Sequence, residues 1–518
     1  MLSKIMSASA LGIDGYIVTV EVDLAPGLPY FSTVGLPDRA VNESKERVIT
    51  AIRNSGIDAA HKKITVNLAP ADIKKEGVAF DLPIAIGILS AQELVKPDKL
   101  AKFLILGELA LDGNLREVKG ILSITFAAKQ HGYEGIILPK NNRNEAGVVD
   151  GIKVIPVETL AQTIRFLNDE EEITPFVTDK PAIWNSSNVY DIDITEINGQ
   201  NFAKRAIEVA CSGNHNLIMI GPPGAGKTML ARIIPTILPV LTYEESIETT
   251  KIHSVAGLTA RNRGLIVTRP FRNPHNTISD IALVGGGSYP KPGEVSLSHN
   301  GVLFLDELPE FNRNVLEVLR QPLEHKTVTI SRSSASITFP ANFMFVSAMN
   351  PCPCGYYGHP EKECVCSPIQ IQKYLNKISG PLLDRIDLHL EIPALKVHEV
   401  MGDVMMNTKQ NKTMSSEIRN RVVAARKIQY DRFALNGDNI YTNSAMNTRH
   451  TKKYCVLSDE CRGLLSAAIE KLGLSARAYD RILKVARTIA DMESSEPILV
   501  QHIAEAIQYR SLDKFWNV

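Results

Sequence analysis

A glycine-rich loop constrains this chain more than any other feature of its sequence. An apolar run precedes the loop, and a helix-compatible run follows it. The loop itself reads Gly221-Pro222-Pro223-Gly224-Ala225-Gly226-Lys227-Thr228. Between a strand and a helix, such a loop lets backbone N–H groups surround phosphate oxygens at the positive end of the helix. We expect Lys227 to reach the β- and γ-phosphates and the Thr228 hydroxyl to bind Mg²⁺, so the sequence predicts a nucleoside triphosphate site.

Two adjacent carboxylates further along the chain supply the parts needed for hydrolysis. Residues 301–305 are Gly-Val-Leu-Phe-Leu, and Asp306 and Glu307 follow them directly. A buried parallel strand would deliver both carboxylates to the carboxyl edge of a sheet, where ligands bind in open α/β folds. We expect Asp306 to hold Mg²⁺, directly or through water, and Glu307 to polarise the attacking water. A solvated acidic turn is the alternative interpretation.

Three more polar residues are candidates for catalysis. Asn350 ends a predicted apolar strand, where its amide could orient the lytic water, although strand-end turns also favour asparagine. Arg385 lies between Asp384 and Asp387, and it is a candidate for a finger that neutralises charge in a neighbouring subunit's transition state. Arg477 begins a helical stretch and could touch the γ-phosphate from a helical lid. The alternatives are a surface arginine held by its acidic neighbours for Arg385 and a solvated helix-start arginine for Arg477.

Four cysteines close in sequence suggest a metal site. They form two C-x-C pairs: Cys352 and Cys354, then Cys364 and Cys366. Four thiolates suit tetrahedral Zn²⁺, although C-x-x-C is the more usual spacing, and His359 inside the loop could replace one ligand. A reduced loop with free thiols is the alternative. The other cysteines have no such grouping, and we expect them in the core: Cys211, Cys455 and Cys461.

The order of these elements is similar to that of AAA+ ATPases, and three stretches narrow the resemblance. Together the three stretches look like the magnesium-chelatase-like branch of these ATPases. They read Arg-Pro-Phe-Arg-Asn-Pro-His over 269–275, Ala-Leu-Val-Gly-Gly-Gly over 282–287 and Pro-Gly-Glu-Val-Ser-Leu over 292–297. With Asn-Pro-Cys-Pro-Cys-Gly over 350–355, nearly the whole chain closely resembles the ComM/YifB family. One departure is Asn276, because the family often has a second histidine there, and any role that needs paired imidazoles is in doubt.

This resemblance implies a hexameric, ATP-driven motor acting on DNA, with Mg²⁺ as cofactor. The better-understood relatives promote branch migration during DNA uptake, so the expected activity is that of a helicase or branch-migration translocase. A different interpretation is a subunit that remodels a protein partner, as magnesium-chelatase ATPases do for metal insertion. Stimulation of ATP hydrolysis by DNA would separate the two functions.

A β-hairpin predicted over residues 325–339 is the candidate DNA contact. Polar and apolar residues alternate on both sides of a Ser-rich turn. In a ring, such a hairpin would point to the pore, where Lys326 and Arg332 could bind the phosphates of single-stranded or branched DNA. A solvated hairpin with incidental charges is the alternative.

The chain is long enough for about three domains of mixed α/β structure. The resemblance implies a Lon-protease-like α/β domain over residues 1–167, an AAA+ P-loop core with a parallel sheet over 193–395 and a helical lid over 396–518. The acidic run and prolines of residues 168–192 predict a linker.

The N-terminal domain is expected to lack peptidase chemistry despite its Lon-like character. That reaction needs a serine nucleophile and a lysine base. The position that matches the protease's serine is Ala79, and Leu122 lies where the base would sit, with Lys119 out of register. We therefore expect a scaffold or a DNA-facing ring.

Composition argues against a membrane protein and against a uniformly basic nucleic-acid binder. Lys+Arg and Asp+Glu both number 57, so any DNA contact must come from a local patch. No apolar run reaches the roughly 20 residues of a membrane span. Asp14 interrupts the apolar N-terminal stretch, which predicts a strand there and not a signal peptide. Seven cysteines in a large chain suggest the reducing cytoplasm.

Overall fold

The described residues of the computed structural model form two units. The description covers residues 2–58, 62–75, 77–185, 190–259, 264–287, 289–332, 336–394, 414–438 and 440–512. The N-terminal unit comprises Met1–Ser187 and Thr242–Val267, and the P-loop unit comprises Asn188–Leu241 and Thr268–Val518. None of the described helices combines the length and the apolar character of a membrane span.

Alternation of polar and apolar residues builds the first sheet of the N-terminal unit. Val18, Val20 and Val22 are buried on one face of their strand, as the period-two pattern predicts. The strands of this unit are β1 (Leu2–Leu11), β2 (Asp14–Ala25), β3 (Tyr30–Val34), β4 (Lys63–Ala69), β5 (Phe103–Ile105), β6 (Glu108–Leu109), β7 (Leu115–Arg116), β8 (Gly135–Pro139) and β9 (Lys153–Val157). One sheet has the order β1-β2-β4-β3, a parallel sheet has the order β5-β8-β9, and β6 and β7 form a hairpin.

The described part of this unit contains seven α-helices. They are α1 (Arg39–Asn54), α2 (Asp81–Ala91), α3 (Ile121–Gln130), α4 (Arg143–Ala146), α5 (Leu160–Leu167), α6 (Lys180–Asn185) and α9 (Tyr243–Ala256). Asp38 caps α1 by accepting the Val41 N–H at 2.8 Å. The α2 helix ends at Ala91, and Glu93 two residues later takes a φ of 64°, outside the right-handed helical region. The α6 helix lies inside the stretch predicted as a linker.

A five-stranded parallel sheet forms the centre of the P-loop unit, as predicted for the core. The strands of this unit are β10 (Leu217–Ile220), β11 (Phe271–Arg272), β12 (Gly285–Gly286), β13 (Lys291–Pro292), β14 (Val302–Leu305), β15 (Thr327–Ser331), β16 (Ser336–Pro340), β17 (Met344–Met349) and β18 (Leu388–Glu391). The sheet has the order β11-β14-β17-β10-β18, and every neighbouring pair is parallel. The pair β15 and β16 is the predicted hairpin, whose turn residues 333–335 lie outside the described residues.

Helices surround this sheet and continue into a C-terminal helical region. They are α7 (Asn201–Gly213), α8 (Lys227–Ile237), α10 (Asp280–Val284), α11 (Glu294–Leu297), α12 (Arg313–Glu317), α13 (Arg320–His325), α14 (Pro368–Leu375), α15 (Gly380–Leu383), α16 (Ser415–Leu435), α17 (Thr448–Tyr454), α18 (Asp459–Leu472), α19 (Ala476–Met492) and α20 (Val500–Gln508). Ile482, Val485 and Ile489 of α19 are buried in the same hydrophobic cluster as the central strands. The predicted boundary between core and lid at residues 395 and 396 lies outside the described residues.

Candidate nucleotide site

The strand order brings the predicted catalytic residues to one edge of the sheet. The phosphate loop follows β10, Asp306 and Glu307 follow β14, and Asn350 follows β17. Because β17 lies between β10 and β14, Asn350 stands between the loop and the two carboxylates. All three strands are parallel, so their carboxyl ends meet where α/β folds bind ligands.

The phosphate loop leads into α8 through a backbone conformation that only glycine adopts easily. Gly226 has a φ of 78° and directly precedes the first residue of the helix. Gln200 supports the loop from outside, since its Nε2 donates to the Ala225 carbonyl at 2.8 Å. The sequence analysis did not identify Gln200, because no local pattern other than the preceding Gly199 marks it. The loop thus has the strand–loop–helix form that binds phosphate at a helix N-terminus.

Lys227 is buried beneath the loop that it is predicted to serve. Its Nζ donates to the carbonyls of Gly221 at 2.7 Å and Pro222 at 2.9 Å, and to Asn350 Oδ1 at 3.1 Å. Burial lowers the pKa of Lys227, and the carboxylates of Asp306 and Glu307 oppose that shift. The ammonium is therefore held at the loop by groups from two neighbouring strands.

A hydroxyl and a carboxylate form the predicted magnesium site. Thr228 Oγ1 donates to Asp306 Oδ2 at 2.8 Å, and Asp306 Oδ1 accepts the Glu307 N–H at 3.0 Å. Mg²⁺ prefers oxygen ligands and is usually bound by one or two carboxylates with phosphate and water. The pair of Thr228 and Asp306 therefore fits this ion.

Glu307 has a backbone conformation that is uncommon for a residue with a side chain. Its φ is 52°, in the left-handed region, and such strain is often found at active sites. Asn276 Nδ2 donates to Glu307 Oε2 at 3.5 Å. The residue that departs from the family pattern thus lies next to the predicted catalytic base, a relationship that sequence spacing did not suggest.

The two candidate arginines bind acidic partners in the P-loop unit. Arg385 donates to Glu324 and to the Pro381 carbonyl, the latter at 2.7 Å. Arg477 donates to Asp384 at 2.7 Å. Asp384 and Asp387 do not hold Arg385, because Asp384 binds Arg477 and Asp387 binds Arg481. The alternative interpretation of Arg385 is therefore wrong about its partners.

Asp387 binds a residue of α19 and a residue just before β10. Arg481 of α19 lies 2.9 Å from Asp387 Oδ1, and the Nδ1 atom of His215 lies 3.1 Å from Oδ2. Burial would raise the pKa of Asp387, but Arg481 and His215 lower it below its usual value. The segment that carries Arg385 is therefore fastened to α19.

The four clustered cysteines converge as the spacing predicted. Cys352 Sγ lies 3.3 Å from Cys354 Sγ and 3.6 Å from Cys364 Sγ, and all four sulfur atoms lie within 4.8 Å of one another. His359 is not in this group, since its Nδ1 accepts the N–H groups of Glu361 at 3.0 Å and Lys362 at 3.1 Å. The remaining cysteines are buried free thiols, as expected: Cys211, Cys455 and Cys461.

The structure separates the two basic residues assigned to the hairpin. Lys326 directly precedes β15 and is half-buried, and burial lowers its pKa while Asp387 opposes the shift. Arg332 directly follows β15 and is exposed. Arg332 remains a candidate for a phosphate contact, whereas the burial of Lys326 argues against one.

The N-terminal unit has apolar side chains at the two positions that match the protease's nucleophile and base. Ala79 packs against a buried cluster that includes Leu104 and Ile121. Leu122 is fully buried, and its N–H donates to Glu145 Oε1 at 2.8 Å. Neither side chain can attack a carbonyl or accept a proton, and the absence of Ser–Lys peptidase chemistry stays a prediction.

Family models cover most of the chain. The model described as "Magnesium chelatase, subunit ChlI" matches residues 193–400, "Subunit ChlI of Mg-chelatase" matches residues 20–142, and "Magnesium chelatase, subunit ChlI C-terminal" matches residues 412–510. Along the chain, the three matches cover part of the N-terminal unit, the parallel sheet of the P-loop unit and the C-terminal helices.

Similar proteins cover the chain from end to end. Competence protein ComM of Haemophilus influenzae is 44% identical over 99% of this chain and 98% of its own length. The uncharacterized protein YifB of Escherichia coli is 42% identical over 99% of this chain and 98% of its own length. Lon protease 2 of Bacillus subtilis is 30% identical over 27% of this chain and 24% of its own length, in keeping with the predicted Lon-like domain.

Proposed function

Since the chain belongs to the ComM/YifB family of magnesium-chelatase-like AAA+ ATPases, we propose that it is a hexameric motor that hydrolyses ATP to move along DNA. The observation that carries the ATPase part is the meeting of Lys227, Thr228, Asp306 and Asn350 at one sheet edge. The DNA part rests on the 44% identity to a protein named for competence and on the exposed Arg332.

The residues at the sheet edge divide the work of hydrolysis. Backbone N–H groups of the loop and the Lys227 ammonium bind the phosphates, while Thr228 and Asp306 hold Mg²⁺. Bound Mg²⁺ neutralises charge on the phosphate oxygens. Glu307 polarises the attacking water and Asn350 orients it, because both side chains follow strands that end beside the loop.

Two arginines complete the site from a neighbouring subunit in this proposal. Arg385 stabilises charge at the neighbour's phosphates, as trans-acting arginines do in other nucleotide hydrolases. Arg477 donates to Asp384, which adjoins Arg385 in the chain. This contact supports a role for Arg477 at the same neighbouring nucleotide site. A ring of six subunits would provide such an interface at every site.

DNA contact in this proposal comes from a local patch. The chain has no net charge, so nonspecific attraction of the whole protein to DNA is weak. The hairpin of β15 and β16 carries Arg332 at the end of β15, where an exposed guanidinium can bind phosphate. The N-terminal unit acts as a scaffold or DNA-facing ring in the cytoplasm.

The test is the rate of ATP hydrolysis with and without single-stranded, duplex and four-way-junction DNA. We expect hydrolysis without DNA and a higher rate with at least one DNA structure, together with unwinding or branch migration of that substrate. Hydrolysis that no DNA stimulates, with no DNA binding at low salt, would favour the alternative suggested by the magnesium-chelatase matches, an ATPase that remodels a protein partner.

A further inference from the structure

The loop that carries the four cysteines has little apolar surface to hold its shape. It runs over residues 351–367 between β17 and α14, and most of its side chains are exposed, Val365 to 85%. Cys352 is its buried anchor. Loops of this length without secondary structure are uncommon in compact domains, and a metal that closes such a loop stabilises its folded form by its binding free energy.

The sulfur positions match the size of a tetrahedral zinc centre. A Zn–S bond of about 2.3 Å places the sulfur atoms of such a centre about 3.8 Å apart. The recorded separations of 3.3, 3.6 and 3.6 Å are slightly shorter than that distance, and all four sulfur atoms lie within 4.8 Å of one another. The Tyr357 N–H also donates to Cys352 Sγ at 3.3 Å, the kind of supporting hydrogen bond that thiolate ligands receive.

The same loop touches the phosphate loop. Gly355 has a φ of 84°, and a Cβ added to it would lie 2.6 Å from Cδ of Pro223. The loop also begins directly after Asn350, whose Oδ1 accepts from Lys227 at 3.1 Å. One contact and one covalent junction thus link the cysteine loop to the groups that bind phosphate.

We propose that the cluster of Cys352, Cys354, Cys364 and Cys366 binds one Zn²⁺ and that this ion holds Gly355 against Pro223, so that zinc occupancy sets the affinity for nucleotide. The ligand class is a soft divalent metal ion, because four thiolates disfavour Mg²⁺ and Ca²⁺. Without the metal, the loop loses its closure and the phosphate loop loses a neighbour that limits its movement. The proposal rests on the nucleotide site of the proposed function and requires neither DNA binding nor a hexamer.

Metal content and nucleotide affinity test the two halves separately. Purified full-length protein should contain one zinc per chain by elemental analysis, as four thiolate ligands require. A zinc-selective chelator in excess Mg²⁺ should raise the Kd for a fluorescent ADP analogue about tenfold, which corresponds to about 1.4 kcal/mol, and added Zn²⁺ should reverse the change. Cys364→Ser with Cys366→Ser should have the same effect, whereas Cys461→Ala, which removes a thiol outside the cluster, should leave zinc content unchanged.

A pair of glycine variants separates the contact from the metal. Gly355→Ala should keep its zinc and raise the Kd for the ADP analogue about tenfold, or about 1.4 kcal/mol, because the new Cβ would displace Pro223. Gly358→Ala is the matched control, since Gly358 lies in the same loop with a φ of 76° and nothing within 4 Å of an added Cβ. Its Kd should remain within about twofold of wild type, because the added Cβ meets no neighbour. Both variants share the strain of a positive φ, so a difference between them reports the contact with Pro223.

Each remaining outcome overturns a defined statement. Protein without zinc, with all four thiols titrating freely, rejects the metal site. Protein with zinc whose nucleotide affinity changes neither on zinc removal nor in Gly355→Ala rejects the coupling. If wild-type protein with its zinc binds no nucleotide, the proposed function fails, and that failure is distinct from a result in which nucleotide binds equally well with and without zinc.

Discussion

Arg477 of α19 donates to Asp384 at 2.7 Å, and Asp384 directly precedes Arg385 in the chain. A second contact joins the same two segments, because Arg481 lies 2.9 Å from Asp387. The two arginines predicted for the nucleotide site are therefore carried by segments that are fastened together. We infer that Arg385 and Arg477 serve the same site.

Glu307 should be required for hydrolysis and dispensable for binding. Glu307→Gln removes the carboxylate that polarises water and leaves Thr228 and Asp306 to hold Mg²⁺. Turnover should fall by about 10²-fold or more, the usual contribution of a general base, while the Kd for ATP stays near wild type. Lys227→Ala should instead lose ATP binding. Steady-state hydrolysis and equilibrium binding measure the two effects, and near-normal turnover in Glu307→Gln would remove Glu307 from the mechanism.

Arg385 should act across a subunit boundary. Arg385→Ala alone should reduce hydrolysis about 10³-fold, as loss of a trans-acting arginine does elsewhere. Mixing it with Lys227→Ala should restore part of the rate, because a mixed interface can combine an intact loop with an intact finger. Native mass measurements should verify co-assembly. A mixture that assembles and stays inactive at every ratio would show that Arg385 has only a structural role.

Arg477 should act on the same side of the interface as Arg385. Arg477→Ala mixed with Lys227→Ala should recover activity, as expected for Arg385→Ala. Arg477→Ala mixed with Arg385→Ala should not recover, because each neighbour then lacks one of the two arginines. If Arg477 instead served the nucleotide of its own subunit, that second mixture would contain complete sites. Recovery there would contradict the shared-site interpretation of the contact between Arg477 and Asp384.

Arg332 should contribute to DNA binding and Lys326 should not. Arg332→Ala should weaken binding of single-stranded DNA and reduce the slope of log K against log salt by about one, the value for one phosphate contact. Lys326→Ala is the matched control, since that side chain is half-buried beside the base of the same hairpin. Its salt slope should match wild type. Equal slopes in wild type and Arg332→Ala would move the DNA contact to another surface.

Lys484 should make the P-loop unit more stable as pH rises above 8. Burial lowers the pKa of Lys484 to about 8 from an ordinary value of 10.5, Arg481 adds to the shift, and Asp387 opposes it. Between these values the unfolded chain binds the proton more tightly, so raising the pH favours the folded state. The stability contributed by this group therefore rises between about pH 8 and 10.5 and changes little outside that range.

Lys484→Met removes this titration. The stability of wild type relative to this variant should rise by up to about 3 kcal/mol between pH 8 and 10.5, since one pKa unit corresponds to about 1.4 kcal/mol. Urea unfolding at a series of pH values measures the difference. Stability curves of the two proteins that run parallel over this range would mean that Lys484 titrates normally in the folded protein.

Much of the nucleotide site could be predicted from sequence because its signals are local. The phosphate loop, the pair of Asp306 and Glu307 and the residue Asn350 each adjoin a short apolar strand, and parallel strands bring their carboxyl ends together. The sulfur cluster was predictable for the same reason, since its two C-x-C pairs lie on one loop. Period-two alternation likewise predicted the buried valines of β2.

Contacts between residues far apart in the chain could not be predicted, because no local pattern encodes them. The sequence offered Asp384 and Asp387 as alternative partners for Arg385 and solvent as the alternative for Arg477, yet Glu324 and Asp384 bind the two arginines. Lys326 looked like an exposed cation, but the packing of α13 and β15 half-buries it. Gly355 touches Pro223 only because β17 lies beside β10 in the sheet. Strand order and side-chain burial depend on the free energy of the whole fold, and these two properties set every one of these contacts.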